Sequence, residues 1–258
     1  MAVVIPDELV ELALRNSGRP GPGLLIDRTP ERVVTLQPNF PIPGPNNVSL
    51  VRCAPDRVAP VVAEVRELAA RHGLRCMWTL DPDARPADLP DRLAGCGIAY
   101  EDEVAVMVLP ADAALAPADP RVELVDALRD VDTFREAEAV QAAGFGGGPV
   151  DRQDGRYADN RADPRRHFLL ARLDGGPAGA GWATVHEDGV YLNGGAVAPR
   201  FRGRGVYRAL VAARLELARR TGAPGLAVWA RPDTAAPILA RWGFTEVGRV
   251  RMFEDRGA

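Results

Sequence analysis

The sequence has little of what marks several large protein classes. No apolar run approaches the ~20 residues that cross a bilayer, so no membrane-spanning helix is expected. The opening Met1-Ala2-Val3-Val4-Ile5-Pro6-Asp7-Glu8 lacks the basic start and long apolar core of a secretory signal. A cytoplasmic location is the expectation that follows. Positive charge is not in excess: 32 basic against 35 acidic residues leave a net charge of −3. Nucleic-acid binding needs a basic face that displaces counterions, so no nucleic-acid partner is expected. Cysteine is scarce, with only Cys53, Cys76 and Cys96. An odd count without Cys-x-x-Cys spacing excludes a disulfide framework and a zinc site, and no metal is expected. The three are read as small buried apolar side chains. The Gly-Lys-Ser/Thr ending of a Walker loop is absent as well.

What is present is a globular composition, 47% hydrophobic and 26% charged over 258 residues. That length buries one large core or two smaller ones. Apolar spacing predicts helices over 6–15, 89–95, 131–143 and 206–220, and one from Val58 that ends at His72-Gly73. Apolar runs predict strands at 24–26, 33–36, 48–51, 76–80, 104–109, 122–125, 168–173, 179–186, 190–197, 226–229 and 247–253. The turns Asp174-Gly175-Gly176 and Glu187-Asp188-Gly189 join three of these as antiparallel hairpins. A short helix begun by Pro237 precedes the last strand. The segment 111–120, rich in Ala, Pro and Asp, repeats no apolar period and reads as a linker. It separates an N-terminal domain, 1–115, from a C-terminal domain, 119–258. The charged segment 151–166 follows glycines 146–148 and reads equally as a lid or as an exposed loop. Glu136 and Glu138 fall on the preceding helix as a solvated face.

The two halves repeat one another at an offset of about 149 residues. In each, a strand, a helix, a glycine stop, a strand, a Pro-Asp pair, a short helix and a Gly-apolar pair follow in order. They differ at one turn. The second half has Arg202-Gly203-Arg204-Gly205 where the first has Cys53-Ala54-Pro55-Asp56. The first lacks glycine, loses an N–H to proline and carries a carboxylate that repels phosphate. It keeps the framework without a ligand turn.

That turn belongs to the stretch 192–208, a strand, a Gly/Arg-rich corner and the start of a helix. Glycines bring the backbone close to a ligand, and the helix N-terminus adds partial positive charge. Arg200, Arg202, Arg204 and Arg208 add guanidinium groups suited to phosphate. Gly194 and Gly195, paired inside a strand, mark a bulge or a close backbone approach.

Val197-Ala198-Pro199-Arg200-Phe201-Arg202-Gly203-Arg204-Gly205-Val206 resembles the signature of the GNAT superfamily of acyl-CoA N-acyltransferases, an Arg/Gln-x-x-Gly-x-Gly/Ala opening a helix. The last position is Tyr207, a departure. Leu226 to Trp229, Pro237 to Arg241 and Trp242-Gly243-Phe244 resemble the family's downstream strand, short helix and Leu-Gly-Phe-like element. The likeness covers the chain from about residue 120 onward, and the first half then looks like a degenerate partial copy.

The resemblance implies a mixed α/β fold with a largely antiparallel sheet flanked by helices, in tandem. It implies acetyl-CoA as acyl donor, held by Gly195, Ala196, Val197, Arg202, Gly203, Arg204, Gly205, Val206, Tyr207 and Arg208. The N–H of Val197 would hold the thioester oxygen. The implied reaction is direct attack by a small-molecule amine acceptor on the acetyl thioester. Two family features are missing. Tyr191 stands where a carboxylate base is expected, and Leu239 where a tyrosine acid is expected. His186 and Tyr191 are the substitute candidates for catalysis. Their weakness keeps open a non-catalytic acyl-CoA-binding or regulatory module. The acceptor and the choice between monomer and homodimer are not legible in the sequence.

Overall fold

The computed structural model describes residues 4–148 and 152–256. In chain order its elements are α1 (Asp7–Arg15), β1 (Leu25–Arg28), β2 (Val33–Leu36), β3 (Asn47–Ser49), α2 (Val58–Ala70), β4 (Met77–Leu80) and α3 (Leu89–Gly95). There follow β5 (Ile98–Pro110), β6 (Glu123–Asp126), α4 (Val131–Phe145), α5 (Gln153–Ala162), β7 (Arg166–Leu173) and β8 (Gly176–His186). The chain ends with β9 (Gly189–Leu192), β10 (Gly195–Val197), α6 (Val206–Thr221), β11 (Gly225–Ala230), α7 (Ala235–Ala240) and β12 (Thr245–Asp255). The fold is mixed α/β, with largely antiparallel strands flanked by helices. None of the helices described is long and apolar enough to cross a membrane.

The chain forms two compact units, neither continuous in sequence. One comprises residues up to Ala13 together with Val106–Val247. In it the strands lie in the order β5-β11-β9-β8-β7-β6, with β10 also paired to β8. The β9–β11 pair is parallel, and β6–β7, β7–β8, β8–β9 and β8–β10 are antiparallel. α4 starts where the Asp130 carboxylate accepts the Thr133 N–H at 2.7 Å and stops at Gly146, left-handed at φ 79°. Its inward face carries Phe134, Ala137 and Val140 onto Phe168, Leu170 and Trp182. The Phe168 and Trp182 rings stack at 3.9 Å, with Phe134 edge-on to both. A second cluster, Ala171, Leu173, Ala178, Phe201, Val206 and Leu210, packs α6 onto the sheet.

The other unit, Leu14–Ala105 with Gly248–Ala258, has its strands in the order β1-β2-β3-β4-β12-β5. Val58, Val61, Val62, Val65 and Ala69 line one side of α2 and bury against Trp78, Leu80 and Phe253. The repeat seen in the sequence is present as structure: α2 then β4 here, α6 then β11 in the first unit.

Three local expectations change. The 151–166 segment is no loop, because 153–162 form α5, leaving Asp151 outside the described residues. Only Arg156 and Tyr157 turn inward on this polar helix, too little apolar spacing to be seen in the sequence. Glu138 is not on a solvated face. It is 6% exposed and ion-paired to the equally buried Arg156, because position 138 sits one turn after Phe134 on the inward side of α4. α7 begins at Ala235, two residues before Pro237.

Cys53 and Cys76 are buried, Cys96 is half-buried, and all three are free thiols. Burial pushes the Cys76 thiol up to about 12. Cys76 is therefore expected to resist iodoacetamide at pH 8 in the folded protein and to react once urea unfolds it. Peptide mapping by mass spectrometry reads the difference, and rapid native labelling of Cys76 would contradict this core.

Candidate functional site

The site is built on an interruption in one strand. β9 lies between β8 and β11, pairing Val190, Tyr191 and Leu192 with Leu226, Ala227 and Val228. At Asn193–Gly194 the strand breaks, and Gly194 takes φ 101°, a region open to glycine. The chain resumes as β10, which keeps β8 but has left β11: Gly195 faces Gly181, Ala196 faces Ala180 and Val197 faces Gly179. The Trp182 N–H donates to the Gly194 carbonyl at 3.0 Å and the Ala198 N–H to the Ala178 carbonyl at 2.9 Å. By antiparallel alternation, residues 194, 196 and 198 direct their backbone groups at β8, while Gly195 and Val197 direct theirs outward. The outward edge is thus a short row of backbone groups with no strand beside it. Ala196 contributes only its place in the ladder.

From Val197 the chain runs straight into the turn. Pro199–Phe201 form one 3-10 turn, with Phe201 anchored in the core. Gly203 and Gly205 both adopt left-handed backbone, at φ 74° and 81°, and Gly205 is the residue before α6. Side chains at these two positions would be strained. The first N–H groups of α6 have no helical acceptor, so its dipole and amides face the turn.

The four arginines of the turn are already engaged. Arg202 donates to the Gly144 carbonyl at 3.0 Å, near the end of α4, and to the Val197 carbonyl at 3.4 Å. Arg204 reaches Asp174 in the β7–β8 hairpin at 2.6 Å. Arg200 lies 4.9 Å from the Phe201 ring and Arg208 5.4 Å from the Trp242 ring. They hold the turn in shape and give it a positive field, while the backbone supplies the donors. All 32 basic residues of the chain are arginines, and the sequence contains no lysine.

Of the two candidate catalytic residues, the structure keeps only one close to the break. Tyr191 is two residues before Asn193, buried edge-on to Trp229 with ring centroids 6.4 Å apart. Burial pushes its phenol well above the usual tyrosine range, so it stays protonated. His186 pairs with Gly189 at the far end of β8. That is four residues beyond Trp182, whose N–H meets the Gly194 carbonyl, roughly 14 Å at ~3.4 Å per residue. Tyr207 turns its ring onto Trp242 and against Gly195, and Leu239 is fully buried.

Several site residues were not anticipated. Asn193 is exposed at the break, its Oδ1 accepting the hydroxyl of buried Thr184 at 2.6 Å. Gln141 and the exposed Phe145 stand over Gly194, within 3.5 and 3.7 Å of where a Cβ would lie. Arg214, 1% exposed, lies beneath the same strand. The available signal was the alternation Gly179, Gly181 in β8. Val206, Leu210 and Arg214, one turn apart on α6, press onto a sheet surface without side chains there.

An unpaired strand edge leading into a glycine turn at a helix N-terminus is the geometry of a site for an extended, phosphate-ended ligand. Comparison with known proteins identifies the class. Residues 133–244 match the model of the Acetyltransferase (GNAT) family. No functionally curated protein sequence matches. Among solved structures, a GCN5-related N-acetyltransferase from Kribbella flavida superposes with a TM-score of 0.70 at 17% identity, covering 97% of this chain and 96% of that one. A GCN5-related N-acetyltransferase from Sphaerobacter thermophilus gives 0.59 at 16% identity, covering 89% and 81%. A tandem GNAT protein from the clavulanic acid biosynthesis pathway gives 0.56 at 16% identity, covering 97% and 88%. These likenesses concern the fold, which here includes the tandem arrangement.

The buried Glu138–Arg156 pair fixes α5 against α4, beside the aromatic cluster under Trp182. Removing one partner strands the other in an apolar setting. Glu138→Ala is expected to lower stability by about 3 kcal/mol. Urea unfolding followed by circular dichroism measures this, and a loss below about 1 kcal/mol would show that the pair is solvated.

Proposed function

We propose that this protein is an acetyl-CoA-dependent N-acetyltransferase acting on a small amine. One observation carries the reading: the outward edge of Gly195 and Val197 is followed, after one 3-10 turn, by the left-handed Gly203–Gly205 corner at the start of α6. An edge of backbone groups followed by a helix N-terminus suits the amide arm and pyrophosphate of coenzyme A. The pantetheine amides pair with Gly195 and Val197, and the pyrophosphate sits on the amides from Arg202 to Arg208. The thioester then lies at the Asn193–Gly194 break, where an outward N–H receives the carbonyl oxygen. The free amine of the acceptor attacks the carbonyl carbon, the C–S bond breaks, and the proton lost by the new amide nitrogen passes through water to the leaving thiolate. Tyr191, held protonated by burial, is no base, and the same upward shift makes it a poor proton donor to a thiolate. His186 lies too far along β8 to share the step. Three free cysteines suit a reducing, cytoplasmic setting.

A second reading, an acyl-CoA-binding module without turnover, is favoured by Tyr191 and Leu239 at the positions where a carboxylate and a tyrosine are expected. Thiol release from acetyl-CoA with a panel of amines separates the two, since a pure binder releases none with any acceptor.

Titration calorimetry tests the cofactor assignment. The protein is expected to bind acetyl-CoA, and Gly205→Glu to lose at least about 100-fold in affinity. Its side chain strains the left-handed backbone and sets a carboxylate against phosphate. An unchanged dissociation constant in a folded variant would remove the turn as the binding site.

A further inference from the structure

Arg214 is an uncommon kind of arginine. It is 1% exposed and makes no ion pair among the described residues. Its Nε donates to the Leu210 carbonyl at 2.9 Å, one turn back on α6. Its Nη1 donates to the Trp182 carbonyl on β8 at 3.1 Å and to the Gly194 carbonyl at the strand break opposite it at 3.5 Å. Its Nη2 is buried with no hydrogen-bond partner among the described residues. The plane of the group lies against two glycines that face each other across β8 and β10. A Cβ on Gly181 would come within 3.1 Å of Arg214 Cζ, and one on Gly195 within 3.3 Å of Nη2. The absence of side chains at both positions is what admits it. Burial pulls the guanidinium down to about 10, which leaves it charged at neutral pH.

A buried cation whose partners are all neutral carbonyls carries a desolvation cost that no opposite charge offsets. The charge therefore calls for an anion that the resting protein does not contain. In acyl transfer, negative charge arises for an instant on the carbonyl oxygen of the thioester. The inference rests on the functional reading above, which sets that oxygen at this break. We propose that Arg214 is a positioning residue for the reaction. It ties the carbonyls of Trp182 and Gly194 so that the outward amide beyond the break stays aimed, and it fixes a positive charge behind the Gly195 peptide. That field polarises the carbonyl of a bound acyl thioester before any acceptor arrives. Nη1 and Nη2 do not touch the ligand; the backbone of Gly195 lies between.

The test needs no knowledge of the acceptor. Infrared difference spectroscopy of acetyl-CoA labelled with carbon-13 at the thioester carbonyl reads the polarisation directly. With the unaltered protein, the carbonyl band is expected at lower wavenumber than for free acetyl-CoA. Arg214→Met is expected to abolish that displacement while the dissociation constant for coenzyme A changes by less than about threefold. Arg214→Gln, neutral but still able to donate to a carbonyl, gives the same loss should the Met variant not fold. Arg214→Lys, which restores charge without the fork, recovers part of the displacement. Thiol release, with whichever amine supports it, drops about 100-fold in the neutral variants.

A band that stays displaced in both neutral variants overturns the inference, as does a wild-type band at the free position. A fall in Tm and coenzyme A affinity with an unchanged band would make Arg214 a structural residue only. If the unaltered protein does not bind acetyl-CoA at all, the functional reading itself falls, a result calorimetry distinguishes from failure of this inference.

Discussion

A strand inside a sheet can be broken only if the backbone groups it frees find other partners. Much of the site unit follows from how that requirement is met at Asn193–Gly194. On one side of the break, β8 keeps its ladder through the Trp182 N–H and the Gly194 carbonyl. Beneath, α6 presents Val206, Leu210 and Arg214 to a strip of glycines, so the helix approaches the sheet closely enough for a guanidinium to reach main-chain carbonyls. Above, α4 brings Gln141 and Phe145 over Gly194, and its final turn is tied to the glycine corner by Arg202. Only the edge facing away from β8 is left without a strand.

The other unit shows the same framework with that direction closed. There β3 is followed by Leu50 at φ 51°, a comparable interruption, but the next residues are bonded on. The Arg85 N–H donates to the Val51 carbonyl at 2.9 Å, the Cys53 N–H to the Arg85 carbonyl at 3.4 Å, and the Arg52 N–H to the Glu31 carbonyl at 2.8 Å. Arg52 and Arg57 then turn their guanidinium groups to Asp81, Glu31 and Glu64. Acidic partners neutralise the cations, and a returning segment occupies the backbone edge. Loss of the ligand turn in this half is therefore more than the loss of two glycines. Both the field and the free amides have been consumed by the fold.

The parts legible in the sequence are those whose local chemistry allows one answer. Two left-handed glycines ahead of an apolar helix define the turn, and the valine stripe of α2 defines its buried face. The paired glycines at 194 and 195 announced a departure from regular strand. What escaped were polar residues with inward roles. Glu138 and Arg156 bury together although each alone reads as surface, and α5 carries almost no apolar pattern. The first part of β5, with Glu101, Asp102 and Glu103, is extended despite a composition that favours loops. Arg214 escaped for the same reason, since an arginine midway along a helix gives no sign of which face it takes. The glycines opposite were the sign, readable only once it was known that they share one side of a strand.

The glycine turn is surrounded by cations, yet every one is a guanidinium. On the acyl-transfer reading proposed above, a lysine that lost its proton would offer a free amine to compete with the acceptor. Guanidinium remains protonated across the physiological range and does not attack. Stacked on Phe201 and Trp242, or bonded to Asp174 and the end of α4, these side chains are also held in place. With no lysine anywhere in the chain, the side chains offer no primary amine. On the proposed reading, they could hold an acyl electrophile without becoming its acceptor.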